Sequence, residues 1–185
     1  PANIGFEEAA AIPYGGMLAL NFLKKANARK GQRVLVYGAS GAVGTAAVQL
    51  ARLIGADVTG VCSAANLELI RSLGASRAIN YMREDFTREP IRYDLIFNAA
   101  GKSKARLNCR NSLSARGRHI TVDDGSPKLL RADLEYLLEL AGKGEFKPVI
   151  DRVYPMDRIA EAHRYVEQGH KKGNVIVTMT EMKKA

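Results

Sequence analysis

The 185 residues include only two cysteines, Cys62 and Cys109, and three histidines. Two thiols cannot build a disulfide framework, which fits a reducing compartment and sets the expected location as cytoplasmic. Cys62 ends an apolar run and reads as a small buried side chain rather than a nucleophile. No Cys/His spacing resembles a zinc site, so no metal ligand is assigned. No apolar run approaches the ~20 residues that span a bilayer, and no signal-peptide pattern opens the chain, so no membrane partner is expected. The first residue is Pro1 rather than Met, as in a fragment or a processed chain. Acidic residues are the minority, 19 against 28 basic, for a formal charge of +9. The basic residues fall in scattered pairs (Lys24-Lys25, Arg29-Lys30, Lys171-Lys172, Lys183-Lys184) without interleaved aromatics. That is the pattern of a solvated surface rather than a dedicated nucleic-acid site.

What is present is a core-forming share of hydrophobic residues, 46%, in a length that suits one domain. The informative stretch is residues 33–63, RVLVYGASGAVGTAAVQLARLIGADVTGVCS. An apolar run, Val34–Tyr37, ends in Gly38-Ala39-Ser40-Gly41-Ala42-Val43-Gly44. A helix-patterned segment and a second apolar run, Val58–Cys62, follow. Strand, tight turn, helix and strand in that order form the unit that binds a dinucleotide. Small residues let backbone N–H groups approach a pyrophosphate, and the helix N-terminus favours its negative charge. On this basis Gly38, Ser40, Gly41, Ala42, Val43 and Gly44 are candidate cofactor-binding residues, with Gly44 also packing the helix close to the strand. Ala39 stands where the first glycine of G-x-G-x-x-G is expected. No Lys-Ser/Thr pair follows Gly44, which excludes a phosphate-loop nucleotide hydrolase.

Strands are expected near 33–37, 57–62, 77–79, 93–98, 118–122, 149–153 and 174–179. Helices are expected near 41–54, 64–73, 103–113, 128–142 and 157–168. A further helix over 6–28 is interrupted at Pro13 and Gly15-Gly16. Repeated alternation with near-continuous apolar strands predicts an α/β fold, a doubly wound parallel sheet of the Rossmann kind, as a single nucleotide-binding domain.

Acid is missing at one telling place. The second strand ends Gly60-Val61-Cys62-Ser63, without the Asp or Glu that bonds a ribose 2′-hydroxyl in NAD-preferring folds. Asp57 comes too early. A carboxylate there would repel a 2′-phosphate, so its absence permits NADP(H), and the Ser63 hydroxyl can bond a phosphate oxygen. At the end of the fourth strand, Asn98-Ala99-Ala100-Gly101 is small enough at Ala99 and Ala100 for the nicotinamide end to lie against the sheet. The histidines His119, His163 and His170 have no partnered Ser or Cys at a recognisable spacing, and no catalytic residue is assigned.

These segments, together with RSLGASRAINY, YDLIFNAAGK and KPVIDRVYP…AEAHRYVEQGHKKGNVIV, resemble the cofactor-binding domain of medium-chain dehydrogenases/reductases. The resemblance is to the zinc-independent quinone oxidoreductase branch and covers essentially the whole chain. It implies an NADPH-dependent oxidoreductase that transfers hydride to a quinone or activated enone. It also implies a catalytic-type domain preceding this chain and absent from it, so that the chain alone binds cofactor but turns over little. Residues 1–28 then form an inter-domain helical segment packing on the domain of residues 29–185. By the same resemblance, Tyr81 is a further phosphate contact, and Lys172-Gly173-Asn174 approaches the cofactor through Asn174, unless it is an ordinary turn.

The chain departs from the family in four places. Tyr14 stands where zinc-dependent relatives place a metal-ligating cysteine. Leu18 replaces a threonine near the nicotinamide. Ala65 and Asn66 stand where relatives carry Lys or Arg; Asn66 donates hydrogen bonds without charge, and Arg71 is either a substitute or an exposed helical residue. Residues 122–134 run almost directly into a helix, so the strand edge that pairs subunits in the family is shortened or lost. Two other readings stay open. One is a non-catalytic nucleotide-binding module, such as a redox sensor or complex subunit. The other is a nucleic-acid-binding protein using its basic surface.

Overall fold

A computed structural model describes residues 1–101, 108–125, 127–128 and 130–179. The central sheet has five parallel strands: β1 (Arg33–Tyr37), β2 (Asp57–Cys62), β3 (Arg77–Asn80), β4 (Tyr93–Asn98) and β5 (Leu113–Thr121). Their order, β3-β2-β1-β4-β5, reverses between β1 and β4, which is the topological switch of a doubly wound sheet. Val34, Leu35 and Val36 of β1 are fully buried, as a strand covered on both faces requires.

The helices are α1 (Phe6–Lys25), α2 (Ala42–Leu53), α3 (Leu67–Ser72), α4 (Arg131–Gly142) and α5 (Ile159–Glu167). The main core joins α1, α2 and α4 to one sheet face through Phe22, Leu23, Val48, Leu50, Phe97 and Leu137. A smaller cluster on Leu35, Val61, Ile79, Phe86, Tyr93 and Ile96 fills the other face. Each such side chain contributes about 1.5–3 kcal/mol by leaving water.

The sequence reading breaks the first helix at Pro13 and Gly15-Gly16, but α1 runs through both. Pro13 only deprives the Ala9 carbonyl of a bond. That cost is offset by burial of Ile12, Met17, Leu20 and Leu23 along one face. The two glycines are contact points rather than breaks. A Cβ on Gly15 would lie 2.5 Å from the Ala42 carbonyl oxygen, and one on Gly16 3.1 Å from a Leu137 methyl. Gly15→Ala is therefore expected to destabilise the fold by about 1–3 kcal/mol. Gly16→Ala is expected within about 1 kcal/mol of wild type, because the helix-propensity gain of ~1 kcal/mol counters a contact that a side chain can relieve. Thermal melts of the two variants check the contrast.

Three further differences appear. Strands β6 (Ile150–Pro155) and β7 (Asn174–Thr178) pair parallel with each other in a separate two-stranded sheet. The helix expected over 103–113 falls partly on 102–107, outside the described residues. Its end is a single 3-10 turn, Arg110–Ser112, leading directly into β5. β5 therefore begins five residues before the expected strand, with a bulge opposite Tyr93/Leu95. No described residue between β5 and α4 forms a strand, and β5 is the end strand of its sheet. No helix among the described residues is long and apolar enough to cross a membrane.

Candidate functional site

Parallel register builds the site. Tyr37 aligns with Val61 of β2 and Asn98 of β4, and Cys62 aligns with Asn80 of β3. The residues that follow these strand ends, Gly38, Ser63, Tyr81 and Ala99, therefore emerge along one edge of the sheet. At that edge two adjoining recesses share Ser40, Gly169 and Lys171. One, of about 400 Å³, is lined by Ser63, Asn66 and Tyr81, and by Asp151, Tyr165 and Lys172 across from them. The other, of about 360 Å³, is lined by Gly38, Gly41, Ala42, Val43, Ala99 and Ala100, with Tyr14 at its side.

The floor between them is the glycine turn. Gly38 has φ +74°, a left-handed conformation that side chains resist, and a Cβ there would press on the Ala100 backbone. The Gly38 and Ala39 N–H groups both bond the Val61 carbonyl, at 3.1 and 3.0 Å, tying the turn to β2. Gly41 is the N-cap of α2 and offers no side-chain cap. The N–H groups of Ala42, Val43 and Gly44 lie in the first helical turn, where no intrahelical acceptor exists. An uncapped helix N-terminus with three donors suits an anion.

Ten of the twelve sequence-assigned residues line these recesses: Gly38, Ser40, Gly41, Ala42, Val43, Ser63, Asn66, Tyr81, Ala99 and Ala100. The Asn66 amide nitrogen donates to Ser63 Oγ at 3.1 Å, so the two polar groups act as a pair. Tyr81 is half exposed. Burial, then the nearby Tyr81 phenol, pushes the Tyr37 hydroxyl above its ordinary range. Gly44 lies beneath, packed on Gly38 and Ala39. Asn174 does not line either recess. Its backbone N–H and its carboxamide both bond the Val149 carbonyl, at 2.8 and 3.0 Å.

Arg71 does not line the recess either; it pairs with Glu68 on the outside of α3. The basic groups come instead from Lys171 and Lys172, which in the sequence look like one more scattered surface pair. The chain brings them in by a β-bridge between Gly41 and Gly173, with the Gly173 N–H on the Ser40 carbonyl at 2.7 Å. Asp151, Tyr165, Gly169 and His170 also line the first recess without having been assignable from the sequence. The signals there are the resemblance of Lys172-Gly173-Asn174 to a segment that approaches the cofactor and the basic pair standing just before a glycine and a strand.

Cys62 sits beside this edge but is chemically quiet. Burial pushes its thiol up to about 11, against a smaller opposing effect of Arg71. A raised folded value means that stability from its burial is complete below the unfolded thiol's ~8.5 and is lost as pH climbs toward 11. Cys109 is raised likewise by burial. Both thiols are expected to resist a chromogenic disulfide reagent at about pH 8 in the folded protein. Both should react on addition of denaturant, and rapid native labelling at either would contradict this.

Among the described residues no three His, Cys, Asp or Glu side chains gather where they could hold a metal ion. Tyr14 is 68% exposed at the mouth of the second recess. The donors of the described residues are not grouped as a zinc centre requires.

Comparison with known proteins gives the family. A family described as zinc-binding dehydrogenase matches residues 42–139, and a second family of that description matches residues 125–177. The chain is 32% identical over 190 residues to a 2-methylene-furan-3-one reductase of Solanum lycopersicum, covering 96% of this chain and 48% of that protein. It is 30% identical over 192 residues to a chloroplastic NADPH-dependent alkenal/one oxidoreductase of Arabidopsis thaliana, again covering 96% and 48%. The chain thus spans about half the length of these relatives. Among solved structures, the quinone oxidoreductase of Thermus thermophilus, described with its NADPH complex, superposes with a TM-score of 0.80. The identity is 30%, and the match covers 97% of this chain and 68% of that one.

Proposed function

Because this chain belongs to the zinc-binding dehydrogenase family, as a cofactor-binding domain of the zinc-independent quinone oxidoreductase branch, we propose that its groove holds NADP(H) and serves hydride transfer to a quinone or activated enone. The observation that carries this reading is the alignment of strand ends around the uncapped α2 N-terminus. The residues fit such a cofactor. Backbone N–H groups of Ala42, Val43 and Gly44 would receive the pyrophosphate. Ser63, Asn66, Tyr81 and the Lys171–Lys172 pair would surround a 2′-phosphate, and Ala99 and Ala100 leave room for the nicotinamide end. The nicotinamide supplies the hydride chemistry, and the chain's residues bind it and fix its orientation. In the same reading residues 1–28 connect residues 29–185 to the catalytic portion of a longer cytoplasmic enzyme.

The test is a parallel titration with NADPH and NADH by calorimetry and melting temperature. NADPH should bind more tightly and, at about one hundred times its Kd, add about 2.7 kcal/mol, or about 5–10 °C. No binding of either nucleotide would sink the cofactor reading. For the reaction, the complete protein should oxidise NADPH when offered a panel of quinones and enones. Silence across that panel, with nucleotide bound, would remove the oxidoreductase assignment alone.

A further inference from the structure

The lysines reach the groove on a loop, and a loop holds a charge in place only if something fixes the loop. Residues 172–174 are pinned by three successive backbone N–H groups. Lys172 donates to Asp151 Oδ2 at 3.1 Å. Gly173 donates to the Ser40 carbonyl and Asn174 to the Val149 carbonyl. Two of these anchors are main chain to main chain, the second joined by the Asn174 carboxamide on the same Val149 carbonyl. The first depends on one carboxylate.

That carboxylate is itself tightly held. The Tyr165 hydroxyl on α5 donates to the same Asp151 oxygen at 2.5 Å. The Arg152 guanidinium lies over the Tyr165 ring, 3.9 Å from its centroid, and its Nη1 donates to the Tyr154 hydroxyl at 3.4 Å. One acid thus joins β6, α5 and the segment leading into β7. The bond to Asp151 keeps the Tyr165 proton above its ordinary range. Groups 14 and 21 residues away in sequence meet at a single oxygen.

Asp151 also lines the recess with Ser63, Asn66 and Tyr81. A bare carboxylate there would repel a 2′-phosphate and favour a 2′-hydroxyl. Here its Oδ2 already accepts from a phenol and a backbone N–H. Its geometric role and its charge therefore act on cofactor choice with opposite signs, and a substitution reveals which dominates. We propose that Asp151 is a positioning residue for cofactor selection, seating the Lys171–Lys172 segment so that its ammonium groups, rather than a residue after β2, meet the 2′-phosphate.

This inference rests on the NADP(H) reading, and the experiment separates the two. NADPH and NADH are titrated into wild type, Asp151→Ala, Asp151→Asn and Tyr165→Phe, with melting temperatures taken without nucleotide. Wild-type preference for NADPH tests the parent reading by itself, and its absence takes both down. Given that preference, Asp151→Ala should raise the NADPH Kd about tenfold while the NADH Kd stays within about twofold. Asp151→Asn, which keeps an acceptor oxygen, should recover part of the loss. Tyr165→Phe should fall between wild type and Asp151→Ala. Equal weakening of both nucleotides means a structural role only and overturns the inference. Tighter NADPH binding by Asp151→Ala overturns it too, by showing that repulsion is the dominant effect. If Asp151→Ala fails to fold, Asp151→Asn and Tyr165→Phe give the same readout.

Discussion

Gly44→Ala is expected to abolish measurable NADPH binding and to lower the melting temperature by about 6–12 °C. The Cβ would lie 2.1 Å from the Gly38 carbonyl oxygen, 2.7 Å from Ala39 Cα and 2.8 Å from the Ala39 carbonyl carbon. All three atoms are backbone of the turn beneath the groove, so no rotamer change relieves the clash. Either α2 moves off β1 or the turn deforms, and each route displaces the N–H donors of residues 42–44. Overpacking of this kind costs about 3 kcal/mol or more even after a helix-propensity gain of ~1 kcal/mol. For a chain of this size each kcal/mol is about 2–4 °C. The neighbouring Gly41 supplies the control. A Cβ there would meet only the Gly38 carbonyl, at an ordinary 3.6 Å, and its φ is −76°. Gly41→Ala should therefore fold near wild type. A Gly44→Ala protein that melts and binds like wild type would refute the close-packing account of this turn.

The contrast between these glycines marks what the sequence could reveal. The strand, turn, helix and strand of residues 33–62 are legible because every signal is local. β-branched runs form buried strands, small residues fill the turn, and helical spacing follows. Strands β1 to β4 fall where expected to within a residue for the same reason. Failures occur where tertiary contact outweighs a local signal. Pro13 and Gly15-Gly16 look like helix breakers, yet burial of one face of α1 and close approach of α2 make the glycines useful. The runs at β6 and β7 read as strands, but composition does not say which sheet a strand joins.

The site divides along the same line. Residues on the glycine turn and after β2, β3 and β4 could be named because parallel register carries strand ends to one edge. On the far wall only the Lys172-Gly173-Asn174 segment could be pointed to, by resemblance; Asp151 and Tyr165 could not, since they meet Lys172 only through folding of the C-terminal segment. The charge missing at Ala65 and Asn66 has a counterpart on that wall in Lys171 and Lys172. The groove is lined by cations from the opposite side.

That counterpart yields the second large effect. Lys172→Glu is expected to weaken NADPH binding at least about tenfold and to leave NADH within about threefold. Lys172 lines the recess of Ser63, Asn66 and Tyr81, with its backbone held by Asp151. A unit charge pair in contact is worth about 1 kcal/mol in water and about 4 kcal/mol at the lower effective dielectric of a protein surface. Reversing the lysine replaces an attraction with a repulsion, so even the weaker figure, counted twice, exceeds the ~1.4 kcal/mol of a tenfold change. NADH lacks the phosphate that would feel the reversal. Salt separates this from a general loss of structure. The NADPH preference of wild type should shrink as ionic strength rises, since screening acts on exposed charges. The Lys172→Glu preference should depend on salt less steeply or in the opposite sense. Equal loss for both nucleotides would instead mean that Lys172 closes the groove without reading the phosphate. Any NADPH preference that remained would then fall to Lys171, whose ammonium also donates to the Gly173 carbonyl at 2.7 Å.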